Sequence, residues 1–92
     1  MTYRVEVREG FTKQANKFFR KHPDVRMPFR RLVVDLEEDP FQLKLRLHPL
    51  HGEFEGAHAV SLTYSYRVTL TLQVKEQTII LLDIGSHDEV YR

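Results

Sequence analysis

One run constrains the fold of this 92-residue chain more than any other: "TIILLDIGS", residues 78–86, where apolar side chains fall on both sides of an alternating strand. A strand with one covered face alternates apolar and polar positions, whereas one that is apolar throughout is enclosed on both faces. The run therefore belongs at the centre of a sheet. A chain of this length builds one domain, residues 1–92, around one modest core.

The remaining segments show what surrounds that strand. "TYRVEVR" sets Tyr3, Val5 and Val7 against Thr2, Arg4, Glu6 and Arg8, the period of a strand buried on one face. After Gly10, Thr12 is placed to cap a helix whose Ala15, Phe18 and Phe19 share a face and which His22-Pro23 ends. Pro28 lacks the N–H of a helix interior, so an irregular turn is predicted from Asp24 and a second helix from near Pro28, with Phe29, Leu32, Val33 and Leu36 as its stripe. Residues 41–56, broken by Pro49 and Gly52, read mostly as loop, and "AHAVSL" and "YSYRVTLTLQV" read as strands. The order β-α-α-β-β-β predicts an α+β fold, with two helices packed on one face of a small, mostly antiparallel sheet and the other face free. Alternation sends Val68, Leu70, Leu72 and Val74 toward the helices and Arg67, Thr69, Thr71 and Gln73 to the free face. Asp83 and His87 share a parity, and Tyr91 lies just beyond.

Composition narrows the function classes. Hydrophobic residues at 41% and charged residues at 29% belong to a folded globular chain. No apolar stretch approaches the roughly 18 residues of a membrane span, and the N-terminus lacks the apolar region of a secretory signal, so no membrane role and a cytoplasmic location are expected. With no cysteine, thiolate catalysis and Cys-ligated zinc are excluded. The net charge of +1 hides an asymmetry, since residues 1–46 carry eleven Lys/Arg against seven Asp/Glu and residues 47–92 carry three against six. Lys13, Lys17, Arg20, Lys21, Arg26, Arg30 and Arg31 face a single acid, Asp24, within residues 13–31. That cluster is compatible with phosphate contact, and equally with solvated helix faces.

The five histidines divide by position. His22 ends the first helix, where a cation is favoured, and is assigned no chemistry. His48 and His51 bracket Pro49-Leu50 and are either exposed loop residues or site residues. His58 shares a side with Val60 and Leu62, so it is either a half-buried histidine of the core face or a site residue. The pair His48-x-x-His51 is too common a spacing to mark a metal, and HExxH, an acidic calcium loop, a Gly-rich phosphate loop and a GxSxG elbow are all missing, so no metal and no cofactor are expected.

The element order, with "SYRV" followed some twenty positions later by "IGSHDEVYR", resembles the RelE/ParE superfamily of toxins from type II toxin–antitoxin pairs. The likeness runs through essentially the whole chain and includes "HPLHG", similar to the His-Pro-Leu loop of the YafQ branch. It implies the two-helix-on-sheet fold and, for most members, a ribosome-dependent endoribonuclease, an mRNA interferase that cuts messenger in the A site. A ribose 2′-hydroxyl attacks phosphorus and the 5′-oxygen leaves, so one proton must be taken, another given, and a charged phosphorane stabilised without metal.

Carried onto this chain, the resemblance makes Arg67 the phosphate clamp, His58 a proton acceptor or shuttle, His87 the acid for the leaving oxygen and Tyr91 a residue that stacks on a base or orients a proton. His48 gains a role in proton transfer, with Lys44, Arg46 and His51 as contacts to RNA phosphate. The YafQ branch usually has an aspartate where this chain has Leu62, so the implied set is a hybrid. Lys13, Lys17, Arg20, Lys21, Arg30 and Arg31 are implied to meet ribosomal RNA or a cognate antitoxin, an acidic and partly disordered protein that wraps a toxin monomeric when free. Two other readings stay open: a ParE-type toxin that inhibits DNA gyrase and cleaves nothing, and a non-catalytic module that binds a partner protein.

Overall fold

The computed structural model describes residues 2–86. His87 and Tyr91 lie outside the described residues. The elements are β1 (Arg4–Val7), α1 (Phe11–Lys21), a 3-10 turn (Pro23–Val25), α2 (Arg26–Glu38), a second 3-10 turn (Leu43–Leu45), β2 (His48–Pro49), a third (Gly52–Phe54), β3 (His58–Ser61), β4 (Tyr66–Gln73) and β5 (Thr78–Ser86). They form a five-stranded sheet in the order β1-β5-β4-β3-β2, with β1 parallel to β5 and the other three pairings antiparallel. The continuously apolar strand β5 is held between β1 and β4, as its two-sided pattern requires.

Both helices pack on one face. Phe11, Ala15, Phe18 and Phe19 of α1 and Leu32 and Leu36 of α2 meet Val60, Val68, Leu70, Ile79, Leu81 and Ile84 from the sheet. The start of α1 departs from expectation: Gly10, at φ 90, is the cap, and no side chain bonds to the helix start. The left-handed turn into Phe11 is one that glycine enters without steric penalty. Helix α2 likewise begins at Arg26, two residues before Pro28. Proline is tolerated there because the first-turn N–H groups have no acceptor inside the helix. At its far end Gln42 Nε2 donates to the carbonyls of Asp35 and Asp39 at 2.9 and 3.0 Å, satisfying terminal acceptors that basic side chains often serve.

The second sheet face is not free. Leu50, Ala57 and Ala59 are buried there, with Phe54 and Leu82 packed against them. The segment read as loop therefore folds back over the sheet, adds β2 to its edge, and returns Leu50 N–H to the carbonyl of Ala57 at 2.9 Å. A further departure lies in β5, where the register slips by one residue opposite Thr69 and Leu70, leaving Leu82 as the extra residue. Leu81 and Ile84, three apart, consequently both face the helices. Val7 and Val74, expected on the covered side, are about half exposed at 47% and 55%: Val7 closes β1, an edge strand, and Val74 lies beyond the end of β4.

Candidate nucleic-acid site on the sheet face

Cross-strand register decides which side chains meet. Residues directly opposite one another in an antiparallel pair project from the same face. Ser61 is opposite Arg67 and Arg67 opposite Gly85, while His48 is opposite Ala59, Ala59 opposite Thr69 and Thr69 opposite Asp83. These two rows occupy the face away from the helices. Unbroken alternation would carry Asp83 to the side of Ile79 and Leu81, and the slip at Leu82 returns it to the side of Arg67.

At one end of that face lies an open groove of about 570 Å³ lined by Lys44, Arg46, Ser61, Thr63, Tyr64 and Arg67. The β3–β4 turn forms its rim. Leu62 and Thr63 donate their N–H groups to the carbonyl of Tyr66 at 2.9 and 3.3 Å, and Ser65 N–H donates to Thr63 Oγ1 at 3.3 Å. Arg67 Nη1 reaches back to the carbonyls of Thr63, Tyr64 and Tyr66 at 3.4, 3.3 and 3.3 Å. The guanidinium is thus oriented through one of its nitrogens by its own turn. Among the described residues no carboxylate stands within ion-pair distance of it. Asp83, its neighbour on this face, is instead bound to Arg8 at 3.1 Å. Lys44 pairs with Asp35 at 3.3 Å, and Arg46 is exposed, in a left-handed conformation at φ 55.

His48 stands exposed on the same face. Its Nδ1 lies 2.8 Å from the carbonyl of Arg46, and because a carbonyl only accepts, Nδ1 is the donor of that contact. Strand spacing of about 4.8 Å and a two-residue step of about 6.8 Å put the Cα atoms of His48 and Arg67 roughly 12 Å apart. His51 is exposed beyond Leu50 and lines no part of the groove.

His58 does not join this group. It is opposite Leu70 and Pro49, so it projects to the helix side with Val60, half-buried, and its Nδ1 is enclosed without a hydrogen-bond partner. The core-face alternative is the one the register selects. Lys13, Lys17, Arg20, Lys21, Arg30 and Arg31 are all exposed on the helical layer, across the sheet from Arg67. Arg31 alone among them approaches the groove, through a recess of about 290 Å³ that shares Lys44 and Ser61 with it.

The sequence reading overlooked two features. Tyr64 sits in a Thr-Tyr-Ser turn between two strands, and the mark that would have found it is an aromatic where turn chemistry favours small polar residues. His22 is the other. Its ring packs with Phe18 and Tyr66 at 4.7 and 4.9 Å, and its Nδ1 lies 3.1 Å from the Tyr66 hydroxyl, which gives it a packing role at the end of α1.

No model of a known protein family matches the chain, and no curated protein does. Solved structures do. YafQ from E. coli strain BL21(DE3) superposes with a TM-score of 0.79 at 15% identity, over 98% of this chain and 99% of that one. The E. coli DinJ–YafQ toxin–antitoxin complex gives 0.77 at 16% identity over 100% of both chains. The RelBE2 toxin–antitoxin complex from Mycobacterium tuberculosis gives 0.75 at 17% identity, over 95% of this chain and 100% of that one. The chain has the fold of the RelE/ParE toxins.

Proposed function

We propose that this protein is the toxin of a type II toxin–antitoxin pair and that it cleaves messenger RNA in the ribosomal A site. The observation that carries the reading is Arg67: oriented by its own turn, unneutralised by any described carboxylate, and set in a groove with Lys44 and Arg46. A planar guanidinium in that setting suits the equatorial oxygens of a phosphorane, whose charge grows in the transition state. Similarity to toxins crystallised with their antitoxins supports the same reading and a cognate antitoxin as partner.

His48 takes the role of proton acceptor from the attacking 2′-hydroxyl, since the strand register sets it on the face of Arg67. His58, on the other face, is left with a structural role. His87 remains the proposed acid for the leaving 5′-oxygen and Tyr91 the proposed closing aromatic.

Primer extension on a defined messenger in a reconstituted translation reaction tests this. New stops within A-site codons are expected with wild type, and a loss of about 100-fold or more in single-turnover rate with Arg67→Ala at unchanged thermal stability. Unchanged cleavage in that variant removes Arg67 from the chemistry. No stops from wild type would turn the reading toward a gyrase-directed or purely protein-binding toxin, with DNA supercoiling as the next assay.

A further inference from the structure

Tyr64 is 99% exposed, the most exposed large side chain with apolar character among the described residues. An aromatic ring left wholly in water forgoes the burial that normally accompanies it. Among the described residues nothing in the turn calls for a ring: Thr63 and Ser65 supply its side-chain hydrogen bond, and Tyr64 is engaged through its backbone carbonyl, by Arg67. That engagement holds the residue beside the guanidinium at the rim of the groove that Lys44, Arg46 and Arg67 make cationic.

We infer that Tyr64 is a stacking platform for one unpaired nucleobase of the RNA whose phosphate Arg67 holds. This rests on the reading under Proposed function and adds to it a base-contacting residue. Cations spaced along a groove, with an aromatic ring at its edge and no acid among the described residues lining it, form the arrangement that binds single-stranded nucleic acid: backbone charge is met by the cations and the π-face by the ring. A protein partner would more commonly bury such a ring in an apolar pocket, and this groove offers polar and charged neighbours instead. The contact needs the ring and not the hydroxyl.

Single-turnover cleavage on programmed ribosomes tests the inference, using messengers with an abasic nucleotide at each A-site codon position in turn. Wild type, Tyr64→Ala, Tyr64→Phe and Arg67→Ala are compared. The expected result is cleavage of intact messenger about 5- to 100-fold slower for Tyr64→Ala and near wild type for Tyr64→Phe. At one codon position the abasic penalty seen with wild type should disappear in Tyr64→Ala and persist in Tyr64→Phe. Full activity in Tyr64→Ala, or abasic penalties identical to wild type at every position, overturns the stacking role even if Arg67→Ala is inactive. If Tyr64→Ala instead cleaves normally but loses affinity for an acidic antitoxin, the ring is a protein contact and the inference fails. Absence of cleavage by wild type removes the parent reading and this one with it.

Discussion

At the scale of single residues, Arg67 is defined by what orients it and what fails to neutralise it. Its Nη1 is engaged by three carbonyls of the turn that precedes it, so one end of the planar guanidinium is held before any ligand arrives. A lysine keeps the charge and loses that plane. Arg67→Lys is therefore expected to recover little of the activity lost in Arg67→Ala, remaining at least about 10-fold below wild type in single-turnover cleavage. A lysine variant within about threefold of wild type would mean that point charge alone suffices. That an arginine stands on the open face was legible from alternation in "SYRV". The three carbonyl contacts were not, because they depend on how tightly the β3–β4 turn closes.

At the scale of elements, β5 is held from both sides by different means. β4 pairs with it throughout, but β1 ends at Val7; the Arg8 N–H still donates to the carbonyl of Leu81 at 3.0 Å, and beyond that point side chains take over. Arg8 Nε donates to the carbonyl of Leu82 at 2.7 Å; Gln14 Nε2 donates to the carbonyl of Ile84 at 2.6 Å, and Ile84 N–H donates to Gln14 Oε1 at 3.2 Å. The Gln14 amide behaves as one more peptide unit of the missing strand and ties α1 to the centre of the sheet. Gln14→Leu leaves a part-buried donor and acceptor unpaired, so a loss of about 1–3 kcal/mol is expected in urea unfolding. A change under about 0.3 kcal/mol would show that water satisfies Ile84 equally well. Sequence pattern placed β5 centrally, since two-sided burial is written in its residues. The slip at Leu82 was not visible, because each side of that strand is apolar and either parity satisfies the hydrophobic pattern.

At the scale of the molecule, charge is divided between two layers. The helical layer exposes Lys13, Lys17, Arg20, Lys21, Arg30 and Arg31, while Lys44, Arg46 and Arg67 line the groove on the opposite sheet face. Arg31 lies near the seam between the two surfaces. If the groove's three cations each displace one counterion, log K for a short 2′-deoxy-blocked RNA should fall with log salt at a slope of roughly −2. Arg46→Ala should lower the slope by about 0.7, whereas Lys17→Ala should leave it unchanged. Fluorescence anisotropy across a salt series reads both. A slope near zero, or one that responds to Lys17 and not Arg46, would move the RNA away from the groove.

What the sequence determined by itself was whatever depends on local periodicity: two amphipathic helices, a doubly buried central strand, the segregation of helices from strands, and Arg67 on the outer face. Such features repeat every two or 3.6 residues, so a short window contains them. The tertiary structure alone decided the questions that turn on register between distant segments. The sequence left both His48 and His58 open, and only the pairing of β2 and β3 with β4 sends one to the face of Arg67 and the other toward the core. Residues 41–56, broken by Pro49 and Gly52, showed no sustained period, yet they supply an edge strand, a second apolar cluster and two groove cations. A segment of that kind is placed by what it packs against, and its partners lie elsewhere in the chain.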